Sequence, residues 1–174
     1  LGVIPTIAPF LLPAVLPEVR SRYPELKLAL REDLTANLLA RLATGQIDFA
    51  LIALPYDTGN LQVCPLFDEE LLLIAPAGRE ADMPRDIGKL DPDALLLLEE
   101  GHCLRGHTLG GCRLDEPRVT GMEATSLFTL AQMVEGGLGM ALLPDMTLRS
   151  GLLGHMNLVA HRFSEPRPRR TIAL

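Results

Sequence analysis

Four short apolar runs, at 47–54, 71–75, 94–98 and 140–143, constrain this chain more than any other feature. Runs of that length bounded by turn residues suit strands buried on both faces, in sheets covered by helices. The segments before them carry helical spacing. Leu11, Leu12, Val15, Leu16, Val19 and Tyr23 recur on one face, which predicts a helix despite Pro13 and Pro17, ended by Pro24. Residues 26–31 alternate like a half-buried strand. A second helix carries Leu38, Leu39 and Leu42 on one face and stops at Gly45. With an opening strand at 1–4, this order of strand, helix, strand, helix, strand implies a parallel sheet with right-handed crossovers.

Thr6 and Thr35 stand at the two helix starts, where a hydroxyl caps free backbone N–H groups. That edge, beyond the carboxyl ends of parallel strands, is also where such sheets bind ligands. Both threonines therefore read either as plain caps or as donors to a small polar guest. Cys64, just before Phe67, reads as a small buried residue. In the second half, Pro76, Gly78, Pro84 and Gly88 mark a long irregular connection. A strand at 119–122 follows, then a helix capped by Thr125 or Ser126, with Leu127, Leu130, Ala131 and Val134 on its inner face. The last residues, 170–174, read as a strand, and both ends read as limits of a larger protein.

The buried run at 94–98 delivers the chain to the segment 99–113, EEGHCLRGHTLGGCR. It holds Cys103 and Cys112, with His102, His107, Arg105 and Arg113 close by. Nearby cations favour the reactive thiolate, while Glu99 and Glu100 oppose it. In one straight helix the two cysteines lie about 13 Å apart along the axis, beyond disulfide reach. Gly106, Gly110 and Gly111 make unwinding cheap. The segment thus reads as one with two arrangements, reduced and oxidised, as a redox switch requires.

Gly-His-Cys-Leu-Arg at 101–105, with a second cysteine nine positions after the first, resembles the redox loop of the OxyR-type, peroxide-sensing LysR regulators. Ala-Thr-Ser-Leu-Phe-Thr-Leu at 124–130 and Gly-Gly-Leu-Gly-Met-Ala-Leu-Leu-Pro at 136–144 fit the same family. The resemblance covers essentially the whole chain, but only the regulatory domain of such proteins. It implies an α/β, two-lobe, periplasmic-binding-protein-like fold. Lobe I would comprise residues 1–70 plus 169–174, and lobe II residues 71–168. The DNA-binding part would lie upstream of this chain. It further implies that Cys103 is the peroxidatic thiol and Cys112 the resolving one. Thr6, Thr35, His102 and Arg170 would position peroxide or support the thiolate. Hydrogen peroxide would be the signal, with self-association into dimers or tetramers. DNA and RNA polymerase would be met only through the full-length protein. One departure is Gly106, where better-known members often carry an acidic residue.

Composition narrows the alternatives. The formal charge of −6 is repelled by phosphates, so the chain alone is not expected to bind DNA. No apolar run reaches membrane-span length, and the proline-broken start lacks a signal peptide's basic leader. Three cysteines do not suit a secreted disulfide framework, which favours a reducing cytoplasm. Three rival functions remain. His102, Cys103, His107 and Cys112 are a conceivable zinc set, though without a CxxC knuckle. A capped cleft also suits a small organic effector, and a thiol peroxidase shares the first chemical step. The resemblance favours a regulator that is not an enzyme, without metal or cofactor.

Overall fold

The computed structural model describes residues 1–113, 122–151 and 153–174. β1 (Gly2–Val3) pairs in parallel with β2 (Arg31–Glu32) on one side and β3 (Ala50–Leu54) on the other. α1 (Ala8–Arg22) and α2 (Thr35–Ala43) are the crossovers. The expected parallel sheet ends there. β3 next meets the closing strand β9 (Arg169–Ala173), and β9 meets β4 (Pro65–Pro76), both antiparallel. The strand expected over 26–31 shrinks to β2. Leu26, Leu28 and Leu30 stay exposed, with no inner face to join.

β4 is the fold's shared element. Its first half, through Glu70, pairs with β9. From Leu71 onward it pairs with β7 (Ala141–Pro144) and β8 (Leu158–His161). Two hydrophobic cores result. One gathers Val3, Ile4, Ile7, Leu38, Ile52 and Ile172. The other gathers Leu73, Ile74, Leu98, Leu104, Leu130 and Leu142. Parallel β5 (Leu97–Leu98) and β6 (Glu123–Ala124) flank the second core, with α3 (Cys103–Cys112), α4 (Leu127–Glu135) and α5 (Asp145–Arg149) around it. The strand expected at 119–122 falls on residues 119–121, which lie outside the described residues.

Local chemistry explains where expectation and structure part. Ser126 does cap α4, accepting a bond from the Thr129 amide at 3.1 Å. Thr6 and Thr35 cap nothing: α1 starts after Ile7 and α2 after Leu34, neither with a side-chain bond. Both hydroxyls are buried: that of Thr6 accepts from Arg170, and that of Thr35 faces the Cys103 thiol. Asp33 serves α2 instead, accepting from the Leu34 amide. Pro13 and Pro17 are tolerated inside α1, where only Ala8 is fully buried. Cys64 is exposed, contrary to expectation. Its backbone pairs with Leu174 at the sheet end, which leaves the thiol outside the core.

Gly139 shows how tightly the second core closes. A Cβ there would stand 2.6 Å from the Ala94 carbonyl oxygen and 3.0 Å from Leu96 Cγ. The backbone pairing of Leu96 and Ala94 with Met140 fixes this approach. Gly139→Ala is expected to cost about 1–3 kcal/mol of stability, as overpacking does. Urea unfolding curves of the two proteins check it.

Candidate functional site

The approach to Cys103 is set by Gly101. Its φ of +95° suits glycine and turns the chain from β5 into α3. α3 then runs unbroken from Cys103 to Cys112, so the two thiols occupy its first and last positions. Nine residues also rotate the helix by about 180°, putting them on opposite faces. Cys103 packs against the first core, and Cys112 belongs to the second. Both are free thiols.

Arg170 governs the Cys103 end. The residue is 1 % exposed. Nε donates to Glu69 Oε2 at 2.8 Å, Nη1 to Thr6 Oγ1 at 2.8 Å, and Nη2 to the Thr6 carbonyl at 3.0 Å. Glu69 Oε1 in turn accepts from the Met146 amide in the first turn of α5. Thr35 Oγ1 is buried without a nitrogen or oxygen partner and faces the Cys103 thiol. The thiol sits on the N-terminal amides of α3, those of Cys103 and Leu104.

These influences oppose one another. Burial pushes the Cys103 thiol above its ordinary value. The Thr35 hydroxyl, the Arg170 charge and the two helix amides pull it back without reversing the direction. Cys112 is 4 % exposed, and burial alone drives its pKa up to about 11. At rest, both sulfurs are thiols.

The remaining residues of the segment divide between the lobes. Arg105, expected to assist the thiolate, points elsewhere. Its Nη1 donates to the Leu98 carbonyl at 3.0 Å and to Glu123 Oε1 at 2.9 Å. Arg113 ends α3 beside Cys112, in the left-handed region. His102 faces Glu99, 3.9 Å away, and bonds the Thr125 backbone, so it anchors the start of α3 rather than bonding the thiol. His107 Nε2 lies 3.0 Å from the Pro55 carbonyl at the end of β3. Sequence reasoning noted His107 only as a possible cation or metal ligand. Its helical position four residues after Cys103 was the signal available. Burial lowers the pKa of both histidines, so both are neutral. Arg162, Arg167 and Arg169 pair on the surface with Glu70, and Arg167 and Arg169 also with Glu165. Among the described residues, no three His, Cys, Asp or Glu side chains converge as metal ligands.

A cleft of about 560 Å³ lined by Pro55, Tyr56, Gly101, Cys103, Gly106 and His107 leads to the thiol from one side. A second, of about 240 Å³, lies between Thr6, Pro9, Leu98, His102, Ser126 and Leu127. Two α/β cores joined through β4 and β9, with a ligand-sized cleft between them, define a class. The chain matches the LysR substrate binding domain over residues 1–174 and belongs to that family. Within it, the chain is 43 % identical to the "Probable hydrogen peroxide-inducible genes activator" of Streptomyces viridosporus, covering 100 % of this chain and 57 % of that protein. It is 38 % identical to the HTH-type transcriptional regulator EstR of Acinetobacter baylyi, covering 100 % and 58 %. The reduced form of the OxyR2 regulatory domain from Vibrio vulnificus superposes with a TM-score of 0.90 at 35 % identity, covering 99 % and 82 %. The chain thus spans little more than half the length of its curated relatives. The two-lobe fold and the OxyR-type resemblance inferred from sequence both hold.

The buried histidines set a pH dependence. Their folded pKa values lie below the unfolded value near 6.5, so below that pH the unfolded chain binds more protons. Their contribution is complete above about pH 6.5 and is lost as pH falls toward the folded values. The urea midpoint should therefore drop between pH 7.5 and 5.5, and His107→Gln should flatten part of that drop.

Proposed function

We propose that this chain is the regulatory domain of a hydrogen peroxide-responsive transcription regulator of the OxyR kind. The single observation that carries the reading is α3 itself. One helix holds two free thiols at its two ends, each packed into a different core. The Cys103 sulfur attacks one peroxide oxygen and the O–O bond breaks. The thiol's proton leaves with the other oxygen as water, and a sulfenic acid remains. Cys112 then displaces the sulfenic hydroxyl as water, forming a disulfide. The two sulfurs meet only if α3 unwinds, and that rearrangement is the signal.

Thr6, Thr35 and Arg170 hold the peroxide side of Cys103, and His102 positions the start of α3. The lobes divide near residue 70, where β4 changes partners, and near residue 169, where β9 begins. The DNA-binding part lies upstream, in the full-length protein, which would contact DNA and RNA polymerase. The apolar strip of half-buried Leu16 and exposed Leu26, Leu28 and Leu30 supports pairing with a second copy. Among the described residues no helix is long and apolar enough to cross a membrane. The family resemblance implies a cytoplasmic regulator without catalytic turnover or cofactor. The cleft between Thr6 and Ser126 and the likeness to EstR favour a second reading, binding of a small organic effector.

Two tests follow. Peroxide-treated protein, alkylated and digested, should yield a peptide pair linked through Cys103 and Cys112. Cys103→Ser should yield none and Cys112→Ser only the sulfenic acid; an unchanged response to peroxide in Cys103→Ser would overturn the assignment. Second, Gly106 and Gly110 have open space where a Cβ would go. Alanine at both should stabilise helical α3 by about 2 kcal/mol against its unwound form, shifting that equilibrium roughly 30-fold. Disulfide formation should slow accordingly while sulfenic acid formation does not.

A further inference from the structure

His107 has no part in the scheme so far, yet it is 5 % exposed and its ring is fixed. A carbonyl oxygen only accepts, so the Pro55 contact places the ring hydrogen on Nε2. Nδ1 is then a bare lone pair. It is buried and has no partner. A buried acceptor left unpaired is costly and calls for an explanation. His107 follows Cys103 by four residues in α3, so the two side chains share a helix face with Cβ atoms about 6 Å apart. Both line the same cleft. Both also feel the Arg170 charge.

The geometry points to His107 as the proton carrier of the Cys103 reaction, a role that rests on the peroxide-sensing reading above. Nδ1 makes no direct hydrogen bond to the thiol at rest, so the proton passes to it through one water in the shared cleft as the sulfur attacks the near peroxide oxygen. The S–O bond forms, the O–O bond breaks, and the far oxygen leaves as hydroxide. The imidazolium then returns the proton to that hydroxide as water. The balance is one thiol and one hydrogen peroxide giving one sulfenic acid and one water. Burial and Arg170 keep the imidazole neutral, so it is in the form that accepts. This supplies what the Cys103 surroundings otherwise lack, since burial holds that thiol protonated. It also answers the departure at Gly106. The chain has no acidic group at that position, and the basic nitrogen stands one residue further on.

The test measures the second-order rate of Cys103 sulfenic acid formation by hydrogen peroxide, by intact mass, in the Cys112→Ser background. His107→Gln keeps a donor for Pro55 and removes the basic nitrogen. It should slow the reaction by about 100-fold, within the range of general acid–base catalysis. Iodoacetamide labelling at alkaline pH, where the thiolate needs no base, should be unchanged. His107→Ala should be slow as well and should regain rate with added imidazole, which repair of a merely structural defect would not produce. An undiminished rate in His107→Gln, or a loss in His107→Ala that imidazole leaves untouched, overturns the role. Inertness of Cys103 toward peroxide with His107 intact would instead remove the sensor reading beneath it.

Discussion

A buried guanidinium holds this domain together. Arg170 lies on β9, the strand joining β3 to β4, and its bonds reach the loop before α1, β4 and, through Glu69, α5. A cation removed from water is tolerated only when paired and fully bonded, and here every guanidinium nitrogen has a partner. Removing one member of such a pair typically costs about 3–5 kcal/mol, because the other charge is stranded. The same pairing tempers Arg170 as an activator. Glu69 stands against it and weakens the field that reaches Cys103. For that thiol's pKa, burial outweighs the Thr35 hydroxyl, the cation and the helix amides together.

From this anchor the rest of the site follows. The charge sits beyond the N-terminus of α3, so the thiol meets both a cation and the helix amides. Thr35 is drawn inward from the capping position its sequence context suggested. It gives up the α2 terminus to Asp33 and keeps its hydroxyl beside sulfur. Thr6 makes the same exchange toward Arg170. Both residues lose the role that makes them common at helix starts, and both sit within the site.

Much of this was legible in the sequence, for identifiable reasons. The four apolar runs marked the inner strands because burial on both faces leaves no polar alternation. The cysteine spacing and glycines marked α3 because helix geometry converts nine residues into a distance. What escaped was non-local. The antiparallel return of β9 depends on a strand more than a hundred residues from its partner β3. Nothing near Cys64 in sequence reveals that Leu174 lies beside it at a sheet end. The cation at Cys103 could not be read from adjacency, because Arg105 turns to Leu98 and Glu123 while Arg170 arrives from the far end of the chain. His102 shows the same limit: neighbours along a chain at a helix start point to different lobes.

The two thiols differ in a way that orders their chemistry. Thiol–disulfide chemistry runs through the thiolate, and Cys112 at a pKa near 11 is almost wholly protonated at neutral pH. Its burial in the second core also denies it peroxide. It cannot be oxidised first, nor can it attack while α3 is intact. In the proposed switch, unwinding would take it out of the apolar core and remove the burial that raises its pKa. On that proposal, the motion that brings Cys112 to Cys103 is the same motion that would make it nucleophilic. In the proposed reaction, a sulfenic acid formed on Cys103, at the cleft, would wait on that opening. A ten-residue helix of low intrinsic propensity, with two glycines facing open space, is held mainly by its packing. Local opening of such a helix is modest in cost, so the second step needs only that α3 be less stable than the disulfide it prevents.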